Sequence, residues 1–129
     1  MKIIRDTSVL LTAAHKYASD ITDFLSDLVR IPSVNGRDTE YLVAERIQTE
    51  ASKLGLESHL VAREARRPNI LVTYGTGTEK FALIGHMDTV AEGDAAAWSS
   101  PPFAAEIKDG RMLGRGAADN KAGIACSLY

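Results

Sequence analysis

The sequence is poor in cysteine: Cys126 is its only one in 129 residues. No disulfide can form within the chain, and a reducing compartment is the expectation. It also lacks a surplus of either charge. Lys and Arg number 15 against 17 Asp and Glu, a formal net charge of −2, which excludes the basic footprint of a nucleic-acid binder or of a protein held on an acidic membrane. The one basic cluster, REARRPN at 63–69, is interrupted by Glu64 and reads as a solvated connection. No apolar run approaches the roughly 20 residues of a membrane span. The opening stretch MKIIRDTSVLLTAAHKYASD is broken by charges before a signal-peptide core could form, so the expected location is cytoplasmic. Neither a repeat nor a low-complexity segment is present. What remains is a composition of 45% hydrophobic and 25% charged residues, that of an ordinary globular domain.

Tyr17, Ile21, Phe24, Leu25 and Leu28 recur at helical spacing and predict a first helix that ends before Pro32. SVNGRD is a loop, and Asp38 or Thr39 is placed to cap a second helix. Leu42, Val43, Ile47, Ala51 and Leu54 form that helix's apolar face, with Gly55 as its stop. The period then changes. LESHLVA (56–62), NILVTYG (69–75) and KFALIG (80–85) read as strands, the last as a central one covered on both faces. GTGT (75–78) is a tight turn; the strand-like residues after it exclude a dinucleotide fingerprint. FAAEIKDGRMLGRG (103–116) reads as a hairpin turning at Asp109–Gly110. KAGIACSLY opens a last helix near Asn120, with Cys126 expected as a small buried side chain. That helix carries no stop signal before Tyr129, so the sequence reads as a piece of something longer. The expected fold class is α/β: two N-terminal helices followed by a mixed β-sheet flanked by helices.

Two short stretches carry chemistry. In ALIGHMDTVAEGD (82–94), His86 and Asp88 stand at the mouth of the expected strand, where open α/β sheets place their ligand-binding groups. Three readings compete: a polar turn, a satisfied buried pair, or half of a metal site. Imidazole suits zinc and other late first-row ions, and Asp88 could accept from the ring nitrogen facing away from a metal. In GRGAADNKAG (114–123), Asp119 precedes the last helix, where its carboxylate could simply be an N-cap. This is no phosphate loop, since the Walker spacing is absent and no Gly precedes Lys121. Between the two stretches, Trp98, Pro101, Pro102 and Phe103 predict an ordered, aromatic-pinned loop. Glu92 and Asp94 read as solvated turn charges, and His15 and His59 as surface residues.

The order GHMDTV, GDAAAWSSPPF, DGRMLGRGAADNKAG closely resembles the metal-dependent aminoacylase and carboxypeptidase family, which includes acetylornithine deacetylase and succinyl-diaminopimelate desuccinylase. The motifs occupy 85–123, and LVRIPSVNG is similar to the family's N-terminal region. The resemblance implies that residues 1–129 are the N-terminal portion of the catalytic domain, part of a three-layer fold like that of zinc exopeptidases. It implies that His86 binds one metal, that Asp119 bridges two, and that Asp88 is the active-site aspartate supporting His86. A cis Asp119–Asn120 peptide follows from the same likeness. The cofactor would be two Zn²⁺, with Co²⁺ or Mn²⁺ possible by ligand type. Together they would activate a water to hydrolyse the amide of an N-acyl amino acid or small peptide.

Where the family commonly has Pro, Met and Gly, this chain has Ala91, Asn120 and Ala122. The resemblance places the Glu–Glu pair, a further acidic residue, a distant histidine and the dimerisation domain after Tyr129. The whole protein is therefore expected to be a homodimer, and the 129 residues alone to bind metal weakly or not at all and to lack turnover. An unpaired strand edge would favour self-association. Two other readings stay open: a non-catalytic binding or pseudo-enzyme module of the same fold, and a two-metal phosphoesterase. Phosphoesterases usually order the first motif Asp-x-His and need further histidines.

Overall fold

The computed structural model describes residues 7–129; the first six residues of the stretch weighed above as a signal peptide lie outside them. Helix α1 (Ser8–Arg30) is followed by α2 (Tyr41–Lys53), and strands β1 (Glu57–Val61) and β2 (Asn69–Thr73) form an antiparallel pair. A short 3₁₀ turn (Ala95–Ala97) leads to the β3 (Glu106–Lys108) and β4 (Arg111–Leu113) hairpin. An irregular turn at 117–121 then opens α3 (Ala122–Leu128). Helices and strands mix as the α/β expectation has it. The pairings are antiparallel in both ladders and parallel at one isolated bridge, Val34 to Thr89. Among the described residues no helix is long and apolar enough to cross a membrane.

The core forms where three helical stripes meet. Phe24 and Leu28 of α1, Val43 and Ile47 of α2 and Ala125 of α3 are all buried. Ile70 and Val72 of β2 close that cluster from the sheet side. Val43, Ile47 and Ala51 are spaced four apart, so they share one face of α2. Leu42 lies about 100° off that face, and it is exposed rather than apolar core as expected. Tyr129 packs its ring against Tyr17 and Phe24, at centroid separations of 5.7 and 6.4 Å.

Both helix ends behave as the sequence suggests, with one difference. α1 stops ahead of Pro32, and α2 ends at Lys53 with Leu54 as its C-cap before Gly55. The N-cap of α2 is Glu40, with no side-chain cap. Asp38 is diverted from capping because its Oδ2 accepts from Val34 N at 3.0 Å. That bond closes the loop after α1 on itself. Arg67, from the connection between β1 and β2, reaches the same loop and donates to Glu40 Oε1 at 3.0 Å and to the Asp38 carbonyl at 3.3 Å.

The β3–β4 turn has positive φ at Asp109 (51°) and Gly110 (72°), as a type I′ turn requires. Segment 80–85 differs from expectation. It pairs with no strand among the described residues, and Phe81, Leu83 and Ile84 are exposed. A strand needs a ladder partner as well as β-forming side chains, and none lies beside this one. Cys126 is also exposed, not buried. Ala125 takes the inward position on α3, and the next residue is turned about 100° toward solvent.

Candidate metal centre

His86 is delivered by the unpaired segment, immediately after a glycine. A Cβ on Gly85 would lie 2.6 Å from Asn120 Oδ1 and 3.1 Å from Ile124 Cγ1, so the glycine lets the chain before His86 lie close against the turn that carries Asp119. The segment after His86 is bound to the loop that follows α1. Thr89 N donates to Ser33 O (2.9 Å), Asn35 N donates to Thr89 O (2.9 Å), and Ser33 Oγ donates to Met87 O (2.7 Å).

These contacts bring His86 and Asp119 together. Nε2 of His86 lies 2.9 Å from Asp119 Oδ1, although the residues are 33 apart in sequence. On the other side of the ring, Nδ1 faces the Asp88 carbonyl at 3.0 Å and Asp88 Oδ1 at 3.3 Å. The nearer support for the imidazole is therefore the Asp88 backbone, with the expected carboxylate slightly farther away. Asp88 Oδ2 also accepts from Asn35 Nδ2 at 3.5 Å.

With acceptors at both ring nitrogens, protonated His86 is favoured. The Asp88 carbonyl is the main cause of its raised pKa, burial opposes it, and the Asp119 carboxylate adds to it. The His86 side chain is 50% exposed and that of Asp88 39%, so the buried-pair reading fails. The capping reading fails too, because the N-cap of α3 is Lys121 and Asp119 has non-helical φ and ψ. The Asp119–Asn120 peptide is cis. An open cleft of about 210 Å³ lies over the site, lined by His86, Asp88, Thr89, Arg115 and Asp119.

The donors suit a divalent late first-row ion in kind, one imidazole nitrogen beside one carboxylate oxygen. They fall short in number. Among the described residues no group of three or more His, Cys, Asp or Glu is arranged to hold a metal, whereas a catalytic zinc takes three protein ligands.

The remaining candidates do not join the site. Glu92 is paired with Arg37 at 2.8 and 3.0 Å rather than simply solvated. That hydrogen bond from Arg37 holds its carboxyl below the ordinary value. Asp94 caps the 3₁₀ turn through Ala96 N. His15 and His59 are exposed as expected, the latter beside Glu57. Trp98 is pinned by Nε1 donating to Glu92 O at 2.8 Å, and the Arg115 guanidinium sits 5.2 Å from its ring centroid.

One residue of the site's support escapes a motif search. Lys121 is fully buried, and its Nζ donates to Leu28 O (2.9 Å) and Ile31 O (2.7 Å). Burial lowers its pKa to about 8. The available signal was its spacing: Lys121, Ala125 and Leu128 share one helical stripe, so a lysine stands where an inward residue belongs.

Comparison with known proteins places residues 82–129 in a match to peptidase family M20/M25/M40. A succinyl-diaminopimelate desuccinylase of Rhodospirillum centenum is 40% identical over 115 residues, covering 86% of this chain and 29% of that protein. The enzyme of the same name from Cereibacter sphaeroides is 45% identical over 103 residues, covering 78% and 26%. One from a Bradyrhizobium species is 39% identical over 115 residues, covering 85% and 29%. The chain spans less than a third of the length of these curated relatives.

Proposed function

The chain belongs to peptidase family M20/M25/M40, and on that premise we propose that it is the N-terminal portion of the catalytic domain of a metal-dependent amide hydrolase. Its substrates are N-acyl amino acids or small peptides, and the relatives' name makes an N-succinyl amino acid the first to test. The whole protein is a cytoplasmic homodimer. The observation that carries this reading is the 2.9 Å approach of His86 Nε2 to Asp119 Oδ1 beneath an open cleft.

His86 and Asp119 are the metal ligands in this reading, and Asp88 is the active-site aspartate. Two divalent ions, zinc with cobalt or manganese as alternatives, would supply Lewis-acid polarisation of the amide carbonyl and lower the pKa of a water when bound. The chain's own part is orientation. The Asp88 carbonyl at Nδ1 fixes the ring tautomer and leaves Nε2 as the donor. Asp119, which does not cap α3, would hold metal through its carboxylate. The open cleft leaves room for a small acyl substrate over the pair. Further ligands and the general base come from the part of the protein outside these residues.

A hybrid tests this: residues 1–129 replace the matching segment of the Rhodospirillum centenum enzyme, and hydrolysis of an N-succinyl amino acid is assayed with added zinc. Turnover that His86→Ala abolishes is the expected result. A folded, zinc-loaded hybrid without turnover would assign a non-catalytic module instead. Preference for a phosphate monoester would assign a phosphoesterase. The 129 residues alone are expected to bind zinc weakly or not at all and to hydrolyse nothing.

A further inference from the structure

Both halves of the candidate site hang from the same frame, the carboxyl end of α1. His86 is attached through the segment after it: Met87 and Thr89 are bonded to Ser33 and Asn35, just beyond the helix. Asp119 is attached through Lys121, whose ammonium grips the carbonyls of Leu28 and Ile31. A third contact closes the loop where Asn120 packs on Gly85. Leu28 lies in the last turn of α1, where its carbonyl also accepts from Ile31 N at 3.2 Å, and Ile31 is the C-cap. A cation at this end of a helix is favoured by the helix dipole. The ammonium, bonded to Leu28 O and Ile31 O, ties the turn that carries Asp119 to the end of α1.

We propose that Lys121 is a positioning residue that sets the separation of His86 from Asp119 by anchoring the 117–121 turn to the end of α1. It touches neither substrate nor metal. The proposal extends the metal reading of His86 and Asp119, yet its central measurement needs no metal.

The experiment compares the imidazole ¹⁵N shifts of His86, at one fixed pH and without metal, in the wild-type chain, Lys121→Met, Asp119→Asn and the double variant. Asp119→Asn defines the signal of a ring that has lost its carboxylate. Lys121→Met should move His86 in the same direction, and the double variant should go no further than Asp119→Asn. Circular dichroism monitors the fold. If Lys121→Met unfolds the chain, Lys121→Gln, which keeps one donor, replaces it and should give a smaller shift of the same sign.

A wild-type His86 spectrum in a folded Lys121 variant overturns the proposal. So does a double variant whose shifts add, because Lys121 would then act independently of Asp119. If neither variant folds, the proposal is also overturned, since Lys121 would serve the fold as a whole. Zinc titration of the same proteins separates the two claims. Loss of the anchor should weaken zinc about 10- to 100-fold. A wild-type chain that binds no zinc leaves the metal reading to the hybrid enzyme and the role of Lys121 to the His86 comparison, which needs no metal.

Discussion

At the scale of single residues, what decides the site is how closely backbones approach one another. Gly116 has φ 83°, and a Cβ there would lie 2.6 Å from Thr89 Cγ2. Thr89 is buried and bonded to the loop after α1, so it has little room to retreat. Gly116→Ala should destabilise the chain by about 1–3 kcal/mol, read as a lower urea midpoint at unchanged slope. An unchanged midpoint would mean that the turn relaxes freely. Cys126 carries a second prediction. Its thiol is exposed, so a disulfide exchange reagent should titrate one thiol in the native chain as fast as in the urea-unfolded one. Slow native reaction would return it to the core. His86, Asp88 and Asp119 were legible as a group only because their motifs occur in a particular order. Taken singly, each had an ordinary explanation. The burial of Lys121 was not legible, because a lysine in GRGAADNKAG is weighed first as a phosphate-loop group, although backbone carbonyls can satisfy a buried ammonium.

At the scale of elements, the helices were readable because each carries enough periodic residues to fix its inward face. Their junction was not, because it depends on one carboxylate. Glu50 of α2 is 5% exposed. It accepts from Tyr129 Oη at 2.5 Å and pairs with Arg46 at 2.6 Å and Lys53 at 3.0 Å. Burial alone would push its pKa up. The bonds from Tyr129, Arg46 and Lys53 outweigh that and bring it from 4.5 to about 2. Arg46 also reaches Asp27 of α1, so Glu50 connects all three helices. A carboxyl that is more acidic folded than unfolded contributes stability that is fully present above its unfolded value. That contribution should be lost as pH falls from about 4.5 toward about 2. Glu50→Gln should therefore flatten the stability profile across this window and lower stability at pH 7, by at most about 3 kcal/mol. Parallel acid-unfolding profiles for the two proteins would show that Glu50 is not the group responsible.

At the scale of the whole molecule, the 80–85 segment sets apart what the sequence implies from what these residues can complete alone. Its side chains are those of a central strand, yet a central strand is specified by neighbours on both sides and above and below. Among the described residues no strand pairs with it, although its last residue, Gly85, packs against Asn120 and Ile124. Phe81 is 88% exposed, Leu83 61% and Ile84 94%, immediately before the residues that deliver His86. Apolar side chains beside unpaired backbone donors and acceptors form a template for another chain. The small net charge of −2 provides little repulsion to prevent it. The isolated chain should therefore self-associate with rising concentration in sedimentation velocity. Phe81→Lys with Ile84→Lys should restore a monomer with unchanged circular dichroism, because neither side chain belongs to the packed cluster around Phe24 and Leu28. A wild-type chain that stays monomeric at every concentration would contradict this, and so would a double variant that associates equally well. The first result would mean that the segment folds back on its own chain, which would also reposition Gly85 and the imidazole that follows it.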